Sequence, residues 1–128
     1  MIKPRKNLPT GQELAIMKVL WQRERATVRE VYEELRKQRP LAYTTVLTMM
    51  GILEHKGYVK KIAGARAYIY SPTRPQEQVV GGLIKDFVGR VFDGSAQPLL
   101  VHLLENEKLS GQELQDLRKL LREKRGRA

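Results

Sequence analysis

At 128 residues and 14.8 kDa the chain has room for one ordinary domain, or for two small ones that lean on each other or on a second copy, and too little for a barrel enzyme. A composition of 41% hydrophobic and 30% charged residues with a mean hydropathy of −0.45 excludes a disordered chain, and apolar runs no longer than residues 14–17 or 67–70 exclude a membrane-spanning helix. A net charge of +10 makes a polyanion the expected partner.

Taken in chain order, Thr10-Gly11-Gln12-Glu13 is a capping box that opens a first helix, with Leu14, Met17, Leu20 and Trp21 as its apolar stripe. A second box, Thr27-Val28-Arg29-Glu30, opens a helix that buries Val28, Val31, Tyr32 and Leu35 and stops near Pro40. A third helix runs from Tyr43 to about Lys56, burying Val46, Met49, Met50 and Leu53, and Gly57 supplies its left-handed cap. At about 100° per residue its opposite face carries Thr44, Thr48, Gly51 and His55, flanked by Leu47 and Ile52. A solvated helix face is normally dressed with Lys, Glu and Gln, so a face kept small implies close approach of another body, either a ligand surface or another part of the protein.

After Gly57 the period changes to two, through Tyr58-Val59-Lys60-Lys61-Ile62, a turn at residues 63–66 and Ala67-Tyr68-Ile69-Tyr70. Three helices followed by a hairpin bearing Lys60, Lys61 and Arg66 is the layout of a winged helix-turn-helix, whose third helix enters the major groove of duplex DNA. In that layout Lys60, Lys61, Arg66 and Arg39 neutralise phosphates, Thr44, Thr45 and Thr48 meet base edges or phosphates, Leu47 meets a thymine methyl, and Gly51 lets the helix seat deeply.

Ser71-Pro72-Thr73-Arg74-Pro75 interrupts regular structure and marks a boundary between a DNA-binding domain, residues 1–72, and a helical dimerisation domain with a basic tail, residues 73–128. Lys and Arg outnumber Asp and Glu 14 to 6 before that boundary, are outnumbered 4 to 7 from Thr73 to Leu117, and lead 6 to 1 in the remainder. Beyond the boundary Val79, Val80, Leu83, Ile84, Phe87, Val88, Val91 and Phe92 fall in pairs four apart, a stripe too wide for one neighbour. Two further helices follow, one from about Pro98 to Glu105 and one opened by Ser110-Gly111-Gln112-Glu113 with Leu114, Leu117 and Leu121 on one face. So short a segment makes a marginal core by itself, and pairing through Val80, Leu83, Ile84, Phe87, Val91, Leu114, Leu117 and Leu121 with a second copy solves it. Gly81-Gly82 marks a kink or a close helix crossing.

The series Leu41-Ala42-Tyr43-Thr44-Thr45-Val46, Leu53-Glu54-His55-Lys56-Gly57-Tyr58-Val59 and Arg66-Ala67-Tyr68-Ile69-Tyr70, with Val19-Leu20-Trp21 upstream and Leu109-Ser110 then Glu113-Leu114 downstream, resembles the BlaI/MecI family of penicillinase repressors from about Leu8 to Lys124. The resemblance implies a dimeric transcriptional repressor: an N-terminal winged helix, with Tyr43 among its DNA-contacting residues, on each half of a dyad operator, and a helical C-terminal dimerisation domain. It also implies release by a membrane-bound sensor protease. The family's better-known cleaved bond is Asn-Phe, and the matching positions here read His102-Leu103. Copper-responsive relatives carry a cysteine cluster that this chain lacks, and Leu47 stands where some members have Arg.

Without cysteine there are no disulfides, thiolate metal sites or Cys nucleophiles, and two histidines, three serines and no paired carboxylates on an apolar segment argue against an enzyme. No catalytic residue, metal or cofactor is expected, and with no signal-peptide pattern the expected compartment is the cytoplasm. The alternative that the charge permits is a basic RNA-binding or ribosome-associated protein, although no aromatic stacking platform is visible.

Overall fold

The computed structural model describes residues 7–126. In order, these form α1 (Gly11–Arg23), α2 (Val28–Arg36), α3 (Tyr43–His55), β1 (Val59–Ala63), β2 (Tyr68–Pro72), α4 (Gln76–Val91), α5 (Gln97–Asn106) and α6 (Gly111–Gly126). The fold is mainly helical with a two-stranded antiparallel wing, as the pattern of periods required. No helix of the described residues is long and apolar enough to cross a membrane.

Local chemistry accounts for most of the boundaries. The Thr10 hydroxyl accepts from the Glu13 N–H at 3.2 Å while the Glu13 carboxylate accepts from the Thr10 N–H at 3.1 Å, and Thr27 with Glu30 repeats the arrangement at 3.1 and 2.9 Å. Ser110 and Glu113 do the same at the start of α6, both at 3.0 Å. At the end of α3, Gly57 takes φ +85°, which lets the Tyr58 N–H reach back to the Leu53 carbonyl at 2.9 Å.

One core cluster is built from α1, α2, α3 and the hairpin, with Met17, Leu20, Val31, Val46, Met50 and Leu53 fully enclosed. The buried faces of α2 and α3 match their stripes, with Tyr32 and Met49 partly buried at the margins. Helix α1 differs: Ile16 and Val19 are buried beside Met17 and Leu20, whereas Leu14 and Trp21 are only partly covered. It packs against α2, α3 and β2 together, so its buried surface is wider than a single stripe.

In the hairpin Val59 pairs with Pro72 and Ala63 with Tyr68, placing the turn at residues 64–67. The Gly64 N–H donates to the Ala67 carbonyl at 2.9 Å, and a Cβ at Gly64 would lie 2.5 Å from that oxygen, so this turn requires glycine. Ala26, between α1 and α2, exchanges two hydrogen bonds with Tyr70, at 2.9 and 2.8 Å, and ties the wing to the helices. A one-residue bridge leaves no periodic signal, and the sequence gives no hint of it.

The chain divides into two compact units between Asp86 and Phe87, inside α4, whereas the prolines place the boundary at Pro72. The reason is that the proline-rich junction is pinned. The Thr73 N–H donates to the Tyr58 carbonyl at 2.9 Å, its hydroxyl to the Gly57 carbonyl at 2.5 Å, and the Trp21 indole to the Arg74 carbonyl at 2.9 Å. Val79 is then buried in the first unit's core and Leu83 packs against it, so the start of α4 belongs to the winged helix.

In the second unit no residue of α5 or α6 is buried. Phe87 and Phe92 meet edge to face at 5.9 Å. In the first unit's part of α4, a Cβ at Gly81 or Gly82 would meet nothing within 4 Å, so no close crossing among the described residues explains that pair.

Candidate nucleic-acid interface

With Val46, Met50 and Leu53 turned into the core, helical geometry sends Thr44, Leu47, Thr48, Gly51 and His55 outward, and all five are exposed, Leu47 by 47%. Thr44 and Thr48 are not covered by any of the described residues. Glu54 is the one carboxylate on α3, and Lys61 answers it at 3.6 Å. An added Cβ at Gly51 would enter open space, so the bare backbone there is not demanded by packing among the described residues.

Tyr43 and Thr45 sit differently from the other predicted contact residues, both only partly exposed. The Tyr43 ring stands edge-on to Tyr32 at 5.6 Å, and the Arg29 guanidinium lies 4.9 Å from its centroid. Tyr43 therefore anchors the first turn of α3 against α2. Arg29, an exposed cation held beside that turn and 3.5 Å from Glu33, is absent from the cations singled out in sequence. Its only local signal is its place opposite a tyrosine one turn along α2, which does not reveal the second ring.

Helix α3 starts at Ala42 with no side-chain cap and no acidic residue in its first turn, unlike α1 and α2. Its positive pole therefore has no capping side chain or first-turn carboxylate of its own. On α2 the Thr27 N–H bond holds the Glu30 carboxyl below its ordinary value of 4.5, against a desolvation that raises it; the Thr27 hydroxyl and Arg23, 3.2 Å away, add to the lowering.

On the wing Lys60, Lys61 and Arg66 are all exposed, but they are not equivalent. Lys61 is engaged by Glu54 and lies 4.5 Å from the Tyr68 ring, whereas Lys60 and Arg66 make no ion pair among the described residues. Arg39 is exposed beyond the end of α2. Of the predicted pairing residues, Ile84, Phe87, Val91, Leu117 and Leu121 are exposed, Val80 and Leu114 are half-buried, and Leu83 is committed in part to the first unit's core. Leu100, Val101 and Leu104 on α5 and Leu120 on α6 are also bare, and sequence reasoning passed over them. His102 and Leu103 are exposed within α5, and the Asn106 amide donates to the His102 carbonyl at 3.0 Å. Among the described residues no group of three or more His, Cys, Asp or Glu is arranged to hold a metal ion.

The model of the penicillinase repressor family matches residues 9–123. The chain belongs to the penicillinase repressor family. Within it, the transcriptional regulator BlaI of Mycobacterium tuberculosis is 41% identical over 113 residues, covering 87% of this chain and 80% of the relative. The penicillinase repressor of Bacillus licheniformis is 30% identical over 115 residues, covering 90% of each. Among solved structures, the solution structure of the DNA-binding domain of the repressor BlaI matches 58% of this chain and 90% of that domain, with a TM-score of 0.51 and 27% identity. Penicillinase repressors are regulators of transcription, not enzymes, and the motif series from Leu8 to Lys124 is the mark of that kinship.

Proposed function

We propose that this penicillinase repressor family member acts as a homodimer in the cytoplasm, each copy inserting α3 into the major groove of one half of a dyad DNA operator and laying the wing along the backbone, so that transcription is blocked. The observation that carries the reading is the outer face of α3, exposed yet stripped of charge from Tyr43 to Leu53, beside a wing with unengaged Lys60 and Arg66. Such a face is poor at holding water and well shaped to approach base edges.

Phosphates are met by Lys60, Arg66, Arg29 and the uncapped start of α3, which supply salt-dependent affinity without reading sequence. Sequence is read by Thr44, Thr48 and Leu47, with Thr45 at the margin. No Arg, Asn or Gln projects from this face, so direct readout falls below the ~1–3 kcal/mol of a bidentate pair, and half-site spacing and DNA shape carry more of the preference.

Pairing is supported by the second unit, whose helices bury nothing of their own; a second copy apposed through Ile84, Phe87, Val91, Leu117 and Leu121 provides the missing core. A membrane-bound sensor protease acting at His102-Leu103 has to unwind α5 first, because the bond lies inside a hydrogen-bonded helix. Selection of duplexes from a random pool tests the reading: enrichment of an inverted repeat that outcompetes RNA and single strands supports it, and enrichment without dyad symmetry, or equal competition by RNA, contradicts it.

A further inference from the structure

Of the ion pairs among the described residues, one is set apart by burial. Lys56 Nζ donates to Glu13 Oε1 at 2.7 Å, with side chains only 16% and 6% exposed, while every other pair has both partners at least 35% exposed. The pair joins residues 43 apart in sequence, at the first turn of α1 and the last residue capping α3. Glu13 Oε1 also accepts from the Thr10 N–H, and Lys56 Nζ also donates to the Leu8 carbonyl at 3.2 Å. One carboxylate oxygen therefore fixes both where α1 begins and where α3 ends. A lysine in a strongly basic module is turned inward to do this, and its charge is withheld from any phosphate.

Removing two charges from water is costly, and apolar residues of similar volume commonly serve stability as well or better. What apolar packing does poorly is to fix rotation and axial position, because repacked hydrophobic surfaces retain the fold while losing uniqueness. Met17, Leu20, Met50 and Leu53 supply apolar core from α1 and α3; the charged hydrogen bond supplies a fixed point. A fixed α3 matters only on its outer face, where Thr44 and Thr48 must meet base edges to within a fraction of an ångström.

We propose that Glu13 and Lys56 are a positioning pair for α3: they set the helix in the attitude that discriminates operator from other DNA, and they contact no DNA themselves. This rests on the reading that α3 faces the bases, and the test separates the two. Electrostatics and positioning demand opposite outcomes. Glu13→Gln raises the net positive charge by one and leaves the amide oxygen able to accept from Thr10, so charge alone strengthens binding to every duplex. Positioning instead requires that affinity for the duplex enriched from a random pool falls while affinity for a scrambled duplex holds or rises.

The decisive variant is Glu13→Gln combined with Lys56→Met, which keeps the net charge and leaves no buried unpaired ion. Binding to both duplexes is measured at one salt concentration on full-length dimer, with thermal unfolding of each variant alongside. The expected result is a loss of about tenfold in the ratio of selected to scrambled affinity, with scrambled binding within about twofold of wild type. A ratio that stays at the wild-type value in the folded double variant, or selected and scrambled affinities that rise together in Glu13→Gln, overturns the proposal. Thr48→Ala measured in parallel reports on the premise: an unchanged ratio there means that α3 does not read bases, whatever the pair does.

Discussion

Both units of this chain contain helices opened by a Thr or Ser capping box, α1 and α2 in the first and α6 in the second, yet they stand in opposite conditions. The first encloses Leu20, Val46 and Met50 completely, ties its wing to its helices through Ala26 and Tyr70, and pins the segment after the wing through Thr73 and Arg74. The second has well-formed α5 and α6 with no buried residue on either. Local signals are enough to form a helix, but a unit is finished only when its apolar face is covered. The winged helix is finished within one copy. The C-terminal helices, by the reading above, are finished by a second copy.

The most severe way to break this contrast is to charge the exposed apolar face. Phe87→Asp is expected to yield a folded monomer and to weaken binding to an inverted repeat by about 10²–10⁴-fold, because each half-site is then engaged independently. Sedimentation and titration on a paired-site duplex check it; a variant that remains dimeric contradicts the assigned face. Next, Leu20→Ala is expected to cost the first unit about 2–5 kcal/mol in denaturant unfolding, whereas Leu104→Ala leaves that transition unmoved and lowers dimer affinity alone. Equal losses from both would mean that the units are not energetically distinct.

Smaller effects sharpen the first unit's own division of labour. Thr48→Ala is expected to cost about 1 kcal/mol on the preferred duplex and little on random DNA. Arg66→Ala is expected to weaken both alike and to reduce the salt dependence by about one counterion. Equal losses on both duplexes for Thr48→Ala would remove its base-reading role.

The mildest perturbation is acid. Because the folded state holds the Glu30 carboxyl below its ordinary value, chiefly through the Thr27 N–H, it contributes stability that is fully present above the unfolded pKa and is lost as pH falls through the lower, folded one. Glu30→Gln should therefore flatten the acid side of the first unit's stability profile below about pH 5, a change visible in thermal midpoints measured across that range. The Glu113 carboxyl is lowered in the same way, first by the Ser110 N–H, so acid should also loosen the start of α6.

What was legible in the sequence was what a few neighbouring residues decide. Thr10 with Glu13, Thr27 with Glu30, Ser110 with Glu113 and the cap at Gly57 announced four helix ends, and the change of period after Gly57 announced the wing. The outward set on α3 was legible because its buried set, Val46, Met50 and Leu53, is regular. What stayed hidden depends on residues distant in the chain. Glu13 read as a capping residue gives no sign that it also receives Lys56. Trp21 read as part of a stripe gives no sign that its indole holds the Arg74 carbonyl, which is why prolines at 72 and 75 suggested a domain boundary where the structure has a clasp. Lys61 read as a free cation is answered by Glu54 only once the wing folds beside α3.

The claim on which the functional reading depends is that the α3 face is presented twice per assembly to one duplex. Native mass spectrometry of the full chain on the duplex it enriches from a random pool measures this directly. Two copies of the 14.8 kDa chain on each inverted repeat, with a single half-site holding them far more weakly, is the expected result. One copy per duplex, bound as tightly to a half-site as to the whole repeat, would contradict it.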